Sequence, residues 1–521
     1  MLRLPTATLG LLTLHTALAA AQPAPAPVGP RLQTLAGPDL QIGAHAAPGH
    51  VFSSGGAVTI APHLRREVGL ISTSGFLQTA YTAPGTFNDA PIVDHQRLVD
   101  WALAEGKSLH GWLPFGAIHT MQPWIREPWG DLPASTVDGY MQELVSKAAD
   151  VATSGGTTPS PYSHWTVVNE AHRLSGGYTG TPWKRLGDEA DQSGLTGDAR
   201  VYGNHPVYIG RGLELAAAAL PGAKLGIRDN NFEFPNQAHH DSMYQLARHL
   251  LNTGRPLDVI ELQQHMHVYP TGEARSDAAR LPDGTYDWEG WKAGIRRYQD
   301  LGLEVHLAEV DFKIDEALAD SKAARRDQGR LAYAFTRAAR EVGVDQLTFW
   351  GLRNASTGPG TDRADANLFD RDGSAKPSYY GVQQALMETL DHVFTLERNE
   401  TLTPADGFDG GRFRFASGLA LAGTYAWDMG SLIDVSGPAT ITASGRLAAD
   451  VALDPWSTHE VLRYADGLSG SFGAIAPDLT RTHRLDYGDR SGAGSVRLVP
   501  LPEPATAPIL LLTGALLHRR R

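Results

Sequence analysis

The chain contains no cysteine. That single absence removes disulfides, thiolate metal sites and cysteine nucleophiles. Basic charge is scarce: Lys+Arg number 45 against 57 Asp+Glu, a balance of 45 − 57 = −12. Without clustered cations there is no general attraction for phosphate backbones, so no nucleic-acid partner is expected. Lysine disappears after Lys376. No G-x-G-x-x-G or G-x-x-x-x-G-K-[S/T] follows a strand-like run, which removes the nucleotide-binding form of an open α/β sheet. The apolar run at 505–517 has 13 residues, marginal for a bilayer.

What is present is a chain that can fold. Its 521 residues suggest two or three units, and 42% hydrophobic with 20% charged residues supports a real core. The N-terminus carries Arg3, a mostly apolar stretch over 9–18 and Ala19-Ala20-Ala21. This order predicts a signal peptide over 1–21. A proline-rich spacer is drawn over 22–35. From 36 to 395, strand-like runs alternate with helix-like ones. Strands are expected at 40–44, 69–73, 108–113, 165–168, 224–227, 257–262, 304–308 and 346–350. Helices are expected at 137–151, 207–220, 241–252, 288–301, 322–342 and 379–390, the first capped by Ser135 with Asp138. Eight such alternations predict an α/β fold, a (β/α)₈ barrel. Short strand-like runs between Gly, Asp and Ser turns predict a smaller all-β domain over 400–499. Residues 500–521 join Pro502-Glu503-Pro504 to the apolar run and a basic end.

Two strands finish in carboxylates. His164-Trp165-Thr166-Val167-Val168-Asn169-Glu170 is one, and Val305-His306-Leu307-Ala308-Glu309, with Asp311 two residues on, is the other. Carboxylates at the C-terminal mouth of a barrel sit where barrel active sites are built. A pair of them is the equipment for cleaving a glycosidic bond, one as proton donor and one as nucleophile or base.

At this point the sequence resembles a known family. Trp165-Thr166-Val167-Val168-Asn169-Glu170-Ala171 is similar to the WDVVNEA of the family-10 glycoside hydrolases, the xylanase family. Ala308 to Asp311 resembles its TELD, Leu262-Gln263-Gln264-His265 its LQxH, and Thr348-Phe349-Trp350-Gly351 its TFWG. Leu40 to Ala44 resembles the first strand, and Asn367-Leu368-Phe369-Asp370 with Lys376-Pro377-Ser378-Tyr379 resembles LFD…KPAY. The resemblance implies a retaining, endo-1,4-β-xylanase-like hydrolase of a xylan-like polysaccharide that needs no metal or other cofactor. It makes Glu170 the acid/base and Glu309 the nucleophile, their carboxyls ~5–5.5 Å apart. Asn169 would bind the sugar's 2-hydroxyl, His265 would hold Glu309, and Asp311 would fix the tautomer of His265. Gln263 would line the cleft and Trp350 would lie under the sugar. Residues 500–521 resemble PEP-CTERM sorting signals, implying a membrane sorting machinery as partner and delivery to the cell surface.

The sequence also departs from the family. Trp112 stands where a sugar-gripping His is expected, and the next expected Trp falls near Phe115 or Gly116. Residues 72–76 lack the usual Asn and Lys of the second strand, and no second platform Trp follows Trp350. Two other functions stay open. One is a non-catalytic sugar-binding surface protein. The other is a metal-dependent barrel hydrolase using His265-Met266-His267 with His239, His240 and Glu261. The sequence does not fix the oligomeric state.

Overall fold

The computed structural model describes residues 30–501 apart from internal stretches, the longer ones being 53–59, 117–131, 154–160, 231–237, 271–279, 355–364, 403–411, 450–457 and 476–482. The signal peptide, the spacer up to residue 29 and the segment from 502 onward lie outside the described residues, as do residues 74–76 of the second-strand departure and 355–356 after Trp350.

Eight parallel strands close into a barrel. They are β1 Gln41–Ala46, β2 Leu70–Thr73, β3 Ser108–Gly116, β4 Tyr162–Asn169, β5 Lys224–Asn230, β6 Val259–His267, β7 Glu304–Lys313 and β8 Gln346–Phe349, each paired with its neighbours and β1 closing on β8. The helices between them are α1 Ala61–Glu67, α2 Asp89–Ala104, α3 Ala134–Thr153, α4 Val207–Ala219, α5 Ala238–Asn252, α6 Trp288–Gln299, α7 Lys322–Val342 and α8 Pro377–Glu388. The strands are apolar runs buried on both sides, as parallel strands under a ring of helices must be. Helix ends follow from local chemistry. Ser321 accepts from the Ala324 N–H at the start of α7, and Gly343 takes the left-handed conformation (φ 73°) at its end.

Two boundaries differ from the sequence reading. The spacer drawn to residue 35 ends sooner: Leu32–Ala36 is a short helix whose Leu32 and Leu35 are fully buried, and the Leu32 N–H donates to Glu67 Oε2 at 3.0 Å. The expected cap of α3 is also displaced, because the helix already begins at Ala134. Asp138 instead pairs with Arg211 of α4, at 2.7 and 3.0 Å.

The remainder is a three-sided parallel β-solenoid. One face stacks Phe394–Leu396, Leu419–Leu421, Ala439–Ile441 and Leu468–Gly470; a second stacks Thr401–Leu402, Thr424–Trp427, Arg446–Ala449 and Ala474–Ile475. The third stacks Arg412–Phe415, Leu432–Val435 and His459–Tyr464, then turns antiparallel through Gly494–Pro500 and His483–Asp486. Its first strand starts at Phe394, inside the span first given to the barrel. No helix among the described residues is long and apolar enough to cross a membrane.

Candidate active site

Glu170 and Glu309 share a backbone oddity. Both have φ of 54°, and they are the non-glycine residues with positive φ among those described. Such a conformation costs free energy and persists where the surroundings enforce it, which is common at functional sites. Glu170 follows the last residue of β4, and its N–H donates to the Arg228 carbonyl of β5 at 2.8 Å. Glu309 sits in a bulge of β7. Between the pairs Gln263↔Ala308 and His265↔Asp311, two β7 residues oppose one β6 residue. The bulge re-aims the Glu309 side chain into the barrel mouth.

A chain of polar contacts then joins the two glutamates. Gln263 Nε2 donates to Glu170 Oε1 at 2.9 Å and to Asn169 Oδ1 at 3.1 Å. Arg228 Nε donates to the same Asn169 oxygen at 2.7 Å, and Arg228 Nη1 lies 3.3 Å from Glu309 Oε1. With Oδ1 doubly occupied, the Asn169 amide has its N–H groups left for a ligand. On the far side, His265 Nε2 lies 3.2 Å from Glu309 Oε2, and Nδ1 lies 3.0 Å from Asp311 Oδ2. Burial alone would lower the His265 pKa, but the Asp311 and Glu309 carboxylates outweigh it and push it up to about 9. His265 is therefore an imidazolium at neutral pH and donates to both carboxylates.

The two glutamates differ in environment. Glu309 is 5% exposed and boxed between two cations, whereas Glu170 is partly exposed at the rim. One carboxylate is held on two sides by charged partners, and the other faces the open rim.

Aromatic rings form the wall. Trp112 and Trp350 stack with centroids 5.7 Å apart, and His45 of β1 stacks on Trp350 at 4.3 Å. The Arg228 guanidinium lies under the Trp112 ring, 3.5 Å from its centroid. Every residue expected at the site from the sequence is therefore in this mouth: Asn169, Glu170, Gln263, His265, Glu309, Asp311, Trp112 and Trp350. Arg228 and His45 were missed. His45 is a single polar residue near the end of an apolar strand, Arg228 opens the polar Arg228-Asp229-Asn230 end of β5, and no motif marks either.

The Trp expected near Phe115 or Gly116 is excluded there by sterics. Gly116 has φ of 122°, and a Cβ there would come within 1.9 Å of the Asn169 carbonyl oxygen. Phe115 is buried against Trp183. The end of β3 therefore has no room for another ring on the cleft side. The single metal group suggested by the sequence is also dispersed. Glu261 lies in the barrel core with His110 and His164, His239 lies with His172 and Asp229, and His265 is held by Glu309 and Asp311.

Comparison with known proteins agrees with this geometry. Residues 79–385 match the model of glycosyl hydrolase family 10. The chain is 24% identical over 303 residues to endo-1,4-beta-xylanase A of Thermoanaerobacterium saccharolyticum, covering 57% of this chain and 22% of that protein. It is 24% identical over 303 residues to exoglucanase XynX of Acetivibrio thermocellus, covering 57% and 24%. It is 26% identical over 333 residues to endo-1,4-beta-xylanase B of Thermotoga neapolitana, covering 63% and 83%. The chain thus spans about a quarter of the length of the first two of these relatives. Among solved structures, an intracellular xylanase of Thermoanaerobacterium saccharolyticum superposes with a TM-score of 0.54 at 20% identity, covering 68% of this chain and 98% of that one. Xylanase 10B of Thermotoga petrophila, in complex with xylobiose, gives 0.54 at 20%, covering 68% and 97%. A family model that covers more than half the chain, on a closed eight-stranded barrel, places this protein in glycosyl hydrolase family 10.

Proposed function

We propose that the protein is a retaining glycoside hydrolase that cleaves β-1,4-linked xylan or a related polysaccharide by double displacement. The observation that carries this is the contact chain Glu170–Gln263–Asn169–Arg228–Glu309, which fixes two carboxylates of unequal exposure across one mouth. Glu309, held ionised between Arg228 and His265, attacks the anomeric carbon. Glu170 protonates the leaving oxygen and then deprotonates the water that releases the sugar. The Asn169 amide meets the 2-hydroxyl, and Trp350 supplies an apolar surface for the ring.

The test is NMR of the first-formed product from a β-linked xylo-oligosaccharide. A β-anomer is expected, and an initial α-anomer would exclude double displacement. We also infer export, with residues 500–521 directing the protein to the cell envelope. Deleting those residues should move the protein into the medium, and unchanged fractionation would refute that role.

A further inference from the structure

Among the described residues, three groups of metal-ligating side chains lie outside the catalytic mouth: His110/His164/Glu261, Asp191/His205/His249 and His172/Asp229/His239. The first two are largely committed to hydrogen bonds. His110 is engaged on both nitrogens, by Ser72 at 3.0 Å and Thr166 at 2.7 Å, and Glu261 accepts from Thr166 at 2.7 and 2.8 Å. His205 meets Asp191 at 2.8 Å and the Tyr178 hydroxyl, while His249 accepts from the Gln192 N–H at 3.0 Å and meets Glu189 at 3.1 Å. Each His of the second group therefore has both nitrogens partnered.

The third group is built differently. His172 follows β4, Asp229 belongs to β5 and His239 to α5, so three separate elements converge. All are buried, at 4%, 0% and 2% exposure. The backbone N–H groups of His172 and Asn230 donate to the two Asp229 oxygens, at 3.0 and 2.9 Å, and fix that carboxylate. The imidazoles approach it less closely, His172 Nδ1 at 3.2 Å from Oδ2 and His239 Nε2 at 3.6 Å from Oδ1. The His172 contact is a hydrogen bond at the long end of the usual range, and the His239 contact lies beyond it. Each is near the ~3.3 Å ligand–ligand edge of a tetrahedron with ligands ~2.0–2.1 Å from a central ion, His172 measured to one Asp229 oxygen and His239 to the other. One donor atom from each residue lies within 4.8 Å of the others. His172 Nε2 has no hydrogen-bond partner, so the ring, packed against Tyr178 at 4.7 Å, is held by a hydrogen bond at Nδ1 alone.

We propose that His172, Asp229 and His239 form a binding site for a zinc-type divalent ion, with water completing the tetrahedron. Two imidazoles and one carboxylate are a donor set of the kind zinc takes. The site is structural in effect. His172 is two residues beyond Glu170, and Asp229 is next to Arg228, whose carbonyl holds the Glu170 N–H. An ion there would tie together the ends of β4 and β5 that carry the catalytic mouth.

The test uses the full-length protein, stripped with chelator and dialysed against zinc, with Co(II) as a spectroscopic substitute. About one equivalent of zinc should bind, raise the unfolding temperature by several degrees and show two imidazoles by X-ray absorption. His172→Gln and His239→Gln should lose both the ion and the zinc-dependent shift, whereas His249→Gln, in the neighbouring group, should keep them. Failure of the stripped wild type to take up either metal would overturn the proposal, as would undiminished binding by the two Gln variants. If those variants do not fold, His249→Gln decides: loss of the ion there would assign it to the other group and refute this one.

Discussion

The barrel and the solenoid are both stacks of parallel strands around apolar cores, yet they bury different things. Within the barrel lie Arg228, Asp229, Glu261, Glu309 and Asp311, each at 5% exposure or less. Beyond residue 390, the buried polar side chains among the described residues are His483 and Ser495. A buried ion is costly unless paired, so a core that tolerates many is serving something besides stability. In the barrel Arg228, Glu309 and Asp311 converge on the mouth where Glu170 and Glu309 meet, while Glu261 is held in the core beside His110 and His164 and Asp229 beside His172 and His239. The solenoid has no such convergence. Its interior repeats apolar residues in register, as in Phe413↔Ile433↔Leu462 and Phe415↔Val435↔Tyr464. One region uses its interior to hold charge in place, and the other uses it to hold its rungs together.

The largest effect should come from the glutamates themselves. Glu309→Gln should lower kcat on every glycoside by at least about 10⁴-fold, since no nucleophile remains. Glu170→Ala should retain partial activity on aryl glycosides whose leaving group needs no proton, and azide should raise it further. Equal, mild losses in both variants on all substrates would show that the buried charges of the barrel do not serve this chemistry.

Next in size is Arg228→Met, which keeps bulk under Trp112 but removes the cation. Glu261 is raised by burial and drawn down by the Arg228 charge, so the variant leaves it, and Glu309, less compensated. Removing one partner of a buried pair costs about 3–5 kcal/mol. Some of that should appear as a fall in kcat of about 100-fold with little change in KM. The acid limb of kcat/KM should also move upward as Glu309 loses its cation. A stable variant with an unmoved pH profile would reduce Arg228 to packing.

The sequence displayed the barrel well and its mouth less completely. All eight strands were legible as apolar runs, but β3, β5, β6 and β7 continue past the expected ends by three to five residues. The extensions include Phe115, Asp229, Gln263 through His267 and Glu309 through Lys313. Their mostly polar composition reads as loop, although in a barrel it marks the lip facing the cleft. Helices α1 and α2 escaped because each carries a proline near its start, Pro62 and Pro91, and α2 has a diluted apolar face. The solenoid register escaped for another reason. Its turns recur as Ser417-Gly418, Ser436-Gly437 and Asp466-Gly467, but at spacings of 437 − 418 = 19 and 467 − 437 = 30, too uneven to catch as a repeat. The glycines are required by the stacking. A Cβ at Gly437 would come within 2.2 Å of the Ser417 carbonyl oxygen.

A smaller, pH-dependent effect follows from His265. Its folded pKa, pushed up to about 9, exceeds the ordinary value of 6.5. The stability it contributes is therefore fully present below about pH 6.5 and is lost as pH rises through about 9. Unfolding temperature should fall across that window in the wild type and fall less in His265→Gln. Equal alkaline slopes would place the sensitivity in another group.

The smallest effect on turnover should come from the solenoid core. Ile433 is fully buried between Phe413 and Leu462 in the third face. Ile433→Ala should cost about 2–5 kcal/mol of local stability, because the cavity it leaves is walled by neighbouring rungs. In a solenoid that loss is felt by adjacent rungs and decays along the stack. Among the described residues, the polar contacts at the joint with the barrel include Arg414 with Glu388 of α8 at 3.3 Å and Ser417 Oγ donating to the Leu390 carbonyl at 2.8 Å, beside apolar packing that runs from α8 to Phe394 and Phe415. Arg414 is 48% exposed, and an ion pair so exposed contributes about 0–1 kcal/mol. Ile433→Ala should therefore lower the solenoid's unfolding transition while kcat/KM on soluble xylan stays within about twofold of wild type. A chain ending at residue 390, which keeps α8 whole, should behave likewise. If either change lowered turnover in step with stability, the barrel and the solenoid would be one cooperative unit, and their contrast would be one of composition alone.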